Sequence, residues 1–182
     1  MLFSQRLSLR LVLLVCAVLQ PASAALLQPS RACVDPKACM GTWYVQHQKP
    51  ALAILESGGR NGIEEYKWDE AKDRFSVKYT FNRKGASGDK LTTVRQRGWA
   101  KAGTEWEVAP MVGGFCPPVR LPFVILDVDV ESHMVCTGGL NSWMYVMTRE
   151  RLPSAALLDS LLATVEANGF DMGLVEPMVH VE

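Results

Sequence analysis

The stretch Gly41-Thr42-Trp43-Tyr44-Val45-Gln46 decides the fold. A glycine lets the backbone turn sharply into a strand and lets another segment approach it closely. Two residues on, Trp43 sets a large rigid ring where the sheet begins. A start-of-strand tryptophan by itself reads as core. Its meaning depends on what stands beside it about a hundred residues later.

Downstream of Trp43 the chain reads as short strands separated by turn signals. Phe75, Val77, Tyr79 and Phe81 alternate with Ser76, Lys78, Thr80 and Asn82, so this strand has one apolar and one wet face. Strands are also predicted over Ile63 to Trp68, Lys90 to Ala100, Thr104 to Ala109 and His133 to Gly138. Turn-forming clusters join the early ones: Asp69 to Asp73, then Lys84-Gly85-Ala86-Ser87-Gly88-Asp89. Phe123 to Leu126 and Trp143 to Met147 are apolar on both faces, which requires cover on both sides. A helix opened by Pro153 and closed by Gly169 supplies it, with Leu157, Leu158, Leu161, Leu162 and Val165 as its apolar stripe. A short extended tail follows near Leu174 to Val179.

With the strand at Trp43 the count is eight. The fold class is therefore mainly β: an eight-stranded antiparallel up-and-down barrel with one C-terminal α-helix packed on its side. In such a closed meander the last strand pairs with the first, so its end at Met147-Thr148-Arg149 lies beside Trp43. A guanidinium over an indole is worth roughly 0.5–2 kcal/mol, and its donors can tie down loop carbonyls.

Residues 1–24 read as a secretory signal peptide. Arg6 and Arg10 precede a nine-residue apolar run from Leu11 to Leu19, and Ala22-Ser23-Ala24 offers the cleavage site. The run is too short to span a bilayer, and no later segment is apolar enough to cross one. Cleavage after Ala24 leaves one domain, residues 25–182, in a secreted or periplasmic setting. Without the leader's two arginines the chain's 19 basic residues fall to 17 against 19 acidic ones. That balance gives no reason to expect nucleic acid or an anionic membrane surface as partner.

Four cysteines remain, Cys33, Cys39, Cys116 and Cys136, an even number that suggests disulfides with three possible connectivities. No C-x-x-C and no G-x-S-x-G occurs. His47, His133 and His180 have no metal-site spacing, and no cofactor is implied.

Taken together, these motifs resemble the lipocalins. Gly41-Thr42-Trp43-Tyr44 looks like the family's first motif, and Arg149 in Tyr145-Val146-Met147-Thr148-Arg149 like its third. Val124 to Asp127, Val135-Cys136 and Ala167-Asn168-Gly169-Phe170-Asp171 are similar to the apolipoprotein D and bacterial branch. Asp127-Val128-Asp129-Val130-Glu131 departs from the middle motif, and the loop Lys49 to Arg60 departs as well. The resemblance implies a carrier of a small hydrophobic molecule: a fatty acid, lysolipid, sterol, retinoid or carotenoid. Tyr66, Tyr79 and Phe81 would face the lumen, with His47 a polar fixture near the mouth. It also implies a bridge from Cys33 or Cys39 to Cys116 or Cys136, with Cys33–Cys136 matching apolipoprotein D. Two alternatives stand beside this reading. One is a lipocalin-fold enzyme acting on a lipid, for which Cys136 would have to serve because the second strand has no cysteine. The other is a protein-binding lipocalin.

Overall fold

A computed structural model describes residue 30 and residues 34–51, 53–85, 88–100 and 103–181. The expected signal peptide, Cys33 and the Ala86-Ser87 turn lie outside these residues.

Eight antiparallel strands follow one another: β1 Gly41–Lys49, β2 Arg60–Asp69, β3 Arg74–Gly85, β4 Gly88–Ala100, β5 Glu105–Pro110, β6 Leu121–Asp129, β7 His133–Thr137 and β8 Met144–Thr148. Each pairs with the next, and β1 pairs with both β2 and β8, which closes the barrel. Closure is uneven. β1 pairs with β2 only from Gly41 to Tyr44, while its second half follows β8. The tail fills the gap: β9, Glu176–Pro177, lies against His47 and Gln48, and Asn61 donates its backbone N–H to Val179 at 2.9 Å. Met178 is buried there, and Gly62 leaves it room, since a Cβ on Gly62 would meet Met178 Cε at 3.0 Å.

The helix spans Ala155–Ala167, capped by the Ser154 hydroxyl, which accepts from the Leu157 backbone N–H. Two apolar layers result. Leu161, Val165 and Phe170 pack on Val124, Leu126, Val135 and Val146 outside the sheet. Residues of opposite parity on the same strands, including Phe123, Ile125, Met134 and Met147, fill the barrel. This is the two-sided cover that the apolar strands require.

At the closed end the Arg149 guanidinium carbon lies 3.6 Å from the centre of the Trp43 ring. Its nitrogens donate to the carbonyls of Val130, Thr42, Ala38 and Met40 at 2.9–3.3 Å. Gly41 has φ +103°, and a Cβ there would meet Arg149 Nη1 at 3.2 Å, so both conformation and space favour glycine. Trp43 Nε1 donates to the Cys39 carbonyl at 2.8 Å.

The expected disulfide needs correction. Cys39, Cys116 and Cys136 are free thiols, so Cys39 bridges neither of the others and Cys136 is not joined to Cys33. Val135 faces the helix, so Cys136 turns into the barrel core, where it and Cys39 belong to one interior cluster as separate thiols.

Candidate functional site

The strands β1 and β2 part beyond Tyr44, and the segment between them folds over the open end. It contains a one-turn helix, Ala53–Glu56, within the loop Lys49 to Arg60. Above the packed closed end lies a cavity of about 240 Å³. Its apolar wall includes Val94, Val108, Pro110, Leu121, Phe123 and Trp143. Aromatic rings run down one side: Trp143 stands 5.4 Å from Tyr145, and Tyr145 stands 5.6 Å from Tyr79.

The polar part of the wall holds two acids, beside Gln96 and Ser142. Glu56 drops in from the mouth segment and Glu64 comes from β2; both are buried and both line the cavity. Tyr145 Oη donates to Glu56 Oε2 at 2.8 Å, and Tyr66 Oη donates to Glu64 Oε2 at 2.5 Å. Tyr79 Oη donates to Gln48 Oε1 at 3.2 Å, while Gln48 Nε2 donates to the Glu56 carbonyl at 3.0 Å. Burial pushes the Glu64 carboxyl up to about 7, the Tyr66 hydrogen bond opposes this, and the Glu56 charge adds to it. The Tyr79 hydroxyl is likewise held well above its ordinary value, first by burial, then by Glu56 and Glu64.

Of the residues expected in the lumen, Tyr66, Tyr79 and Phe81 all belong to the interior cluster, but at different depths. Tyr79 lines the cavity. Tyr66 sits lower, stacked 5.9 Å from Phe75, and Phe81 lies behind Tyr79 at 4.8 Å between rings, beside Gly59. His47 is a correction. A bulge between Val45 and His47 shifts the register, so His47 pairs with Val146 of the outer layer and Gln48 pairs with Tyr145 of the inner one. The polar fixture on β1 is therefore Gln48. The sequence reading missed Glu64, Glu56 and Gln48. For Glu64 a signal existed: it stands two residues before Tyr66, so any register that turns Tyr66 inward turns Glu64 inward too.

Among the described residues no group of three or more His, Cys, Asp and Glu side chains could hold a metal ion. No described helix is long and apolar enough to cross a membrane.

No family model and no curated protein sequence matches the chain. Solved structures do. The cockroach allergen Per a 4 is 13% identical, with 85% of this chain and 96% of that one covered at a TM-score of 0.61. Lobster apocrustacyanin A1 is 12% identical, with 88% and 94% covered at 0.58. H1 crustacyanin from the lobster Homarus americanus is 13% identical, with 85% and 90% covered at 0.58. Identity this low speaks for the architecture alone. The closed eight-stranded barrel with its side-packed helix is the lipocalin fold.

Proposed function

We propose that this protein is a secreted or periplasmic lipocalin that holds one small hydrophobic molecule in its barrel and carries it unchanged. The observation that carries this reading is the cavity above the closed-end core, apolar over most of its wall and fitted with a few converging polar groups. The leader-like residues 1–24 support export. The stretches around Val124 to Asp127 and Ala167 to Asp171 support placing the chain near the apolipoprotein D and bacterial branch.

At about 240 Å³ the cavity falls just below the usual ligand range of roughly 300–1,000 Å³. It suits one ring system or part of a chain better than a whole sterol, with any remainder leaving through the mouth. Burying about ten methylenes contributes roughly 8 kcal/mol, the free energy of a micromolar complex, and ordering costs subtract from that. Binding without turnover fits Cys136, whose thiol is fully buried and pushed well above its ordinary value by that burial, leaving little thiolate to attack a lipid.

The test is titration of the purified mature chain with fatty acids, lysolipids, sterols, retinoids, carotenoids and neutral and amine-headed alkyl chains. Tryptophan quenching and native mass spectrometry supply the readouts. One saturable site per chain is expected, and Val94→Phe, which fills the cavity, should weaken it at least about tenfold. Absence of any saturable binding across the panel would move the protein-binding alternative ahead.

A further inference from the structure

We propose that the cavity selects an apolar ligand bearing an amine, and discriminates against carboxylate-headed lipids. The inference rests on the carrier reading above and deepens it by naming the head group.

Two carboxyl groups from different elements converge on one enclosed space. Glu64 is 2% exposed and Glu56 4% exposed, and each also lines the cavity. The hydroxyl protons around them are already committed to protein acceptors: Tyr66 to Glu64, Tyr145 to Glu56, Tyr79 to Gln48. Gln96 and Ser142 complete the polar lining as neutral groups, so the charge the wall offers is negative and comes from Glu56 and Glu64. No Lys, Arg or His lines the cavity among the described residues. A fatty-acid carboxylate entering here would meet like charge at low dielectric with no cation to answer it. An ammonium would instead form charge-assisted hydrogen bonds to groups that burial has stripped of water.

The groups acting on Glu64 point the same way. Tyr66 from β2 and Glu56 from the mouth segment face it. Tyr79 is its register partner on β3, and Cys136 on β7 and Tyr145 on β8 feel its charge. All are acidic or neutral. A bound ammonium favours the ionised carboxylate, so amine affinity should rise between pH 6 and 8, across the range where Glu64 titrates at about 7.

The experiment compares decylamine, decanol and decanoate, equal in chain and different in head group, on the purified mature chain by calorimetry and tryptophan quenching. The expected order is amine, then alcohol, then acid, with amine and acid separated by at least about tenfold. Glu64→Gln should lower amine affinity about tenfold, shift alcohol affinity less than about threefold and flatten the pH dependence. Glu56→Gln is the second variant should the first not fold, and the wild-type comparison needs neither. Decanoate binding as tightly as decylamine would overturn the head-group inference while leaving the carrier reading intact. If none of the three binds but sterols or carotenoids do, the inference falls alone; if nothing in the wider panel binds, both fall.

Discussion

The guanidinium of Arg149 lies over the indole of Trp43, its carbon 3.6 Å from the ring centre, and reaches four backbone carbonyls from three segments. The arm before β1, the start of β1 and the β6–β7 turn all end on this one side chain. Arg149→Lys keeps the charge but loses the planar fork and the stack. It should cost roughly 2–4 kcal/mol, since hydrogen bonds from charged groups contribute about 1.5–3 kcal/mol each and some relax to water. A lowered urea midpoint with unchanged slope is the expected signature; a midpoint within error of wild type would show the clasp to be ornamental.

Gly98 carries the closed-end core. A Cβ there would sit 2.1 Å from Phe75 Cζ, inside the ring of a buried residue. Phe75 packs against Tyr66, Trp68 and Trp106, so moving its ring aside disturbs three aromatic neighbours. Gly98→Ala should therefore destabilise by about 1–3 kcal/mol through overpacking. Gly98→Ala with Phe75→Leu should recover part of the loss, which thermal unfolding of both variants would reveal.

Glu64 makes stability depend on pH. Its folded value of about 7 stands above the ordinary 4.5, so the native state holds a proton that the unfolded chain has released between those values. Stability from this group is thus complete below about pH 4.5, falls as pH rises, and levels off above about 7, a change of roughly 3 kcal/mol. Glu64→Gln should flatten that part of the profile in chemical denaturation series from pH 4.5 to 8. An unaltered slope in the variant would assign the pH dependence elsewhere.

The three described thiols should react unequally. Cys39 and Cys136 are buried, and burial pushes the Cys39 thiol up to about 11 and the Cys136 thiol up as well, whereas Cys116 is partly exposed in the β5–β6 loop. Iodoacetamide applied to native protein should label Cys116 first, and Cys39 and Cys136 only in denaturant. Peptide mapping that recovers Cys136 in a bridge would contradict the free thiol.

Much of the barrel was legible in local pattern. Gly41, Trp43 and Arg149 identify its first and last strands, and alternation from Phe75 to Asn82 turns Tyr79 inward without reference to any other segment. The doubly apolar Phe123 to Leu126 and Trp143 to Met147 demand cover that Leu161 and Val165 supply. These readings succeed because side-chain period and burial are set along the strand itself. Three things were decided only in three dimensions. A single-residue bulge after Val45 exchanged the roles of His47 and Gln48, because a register shift inverts every face beyond it. Glu64 shares its face of β2 with Tyr66, but only closure of the barrel seals that face and takes the acid out of water. Glu56 and Glu64 stand eight residues apart in a chain that turns between them, and only the folding of the mouth segment over the lumen brings both to one cavity. Chain pattern determines which face is apolar; which polar groups end up inside it depends on closure, where segments that never read as neighbours share one enclosed, low-dielectric space.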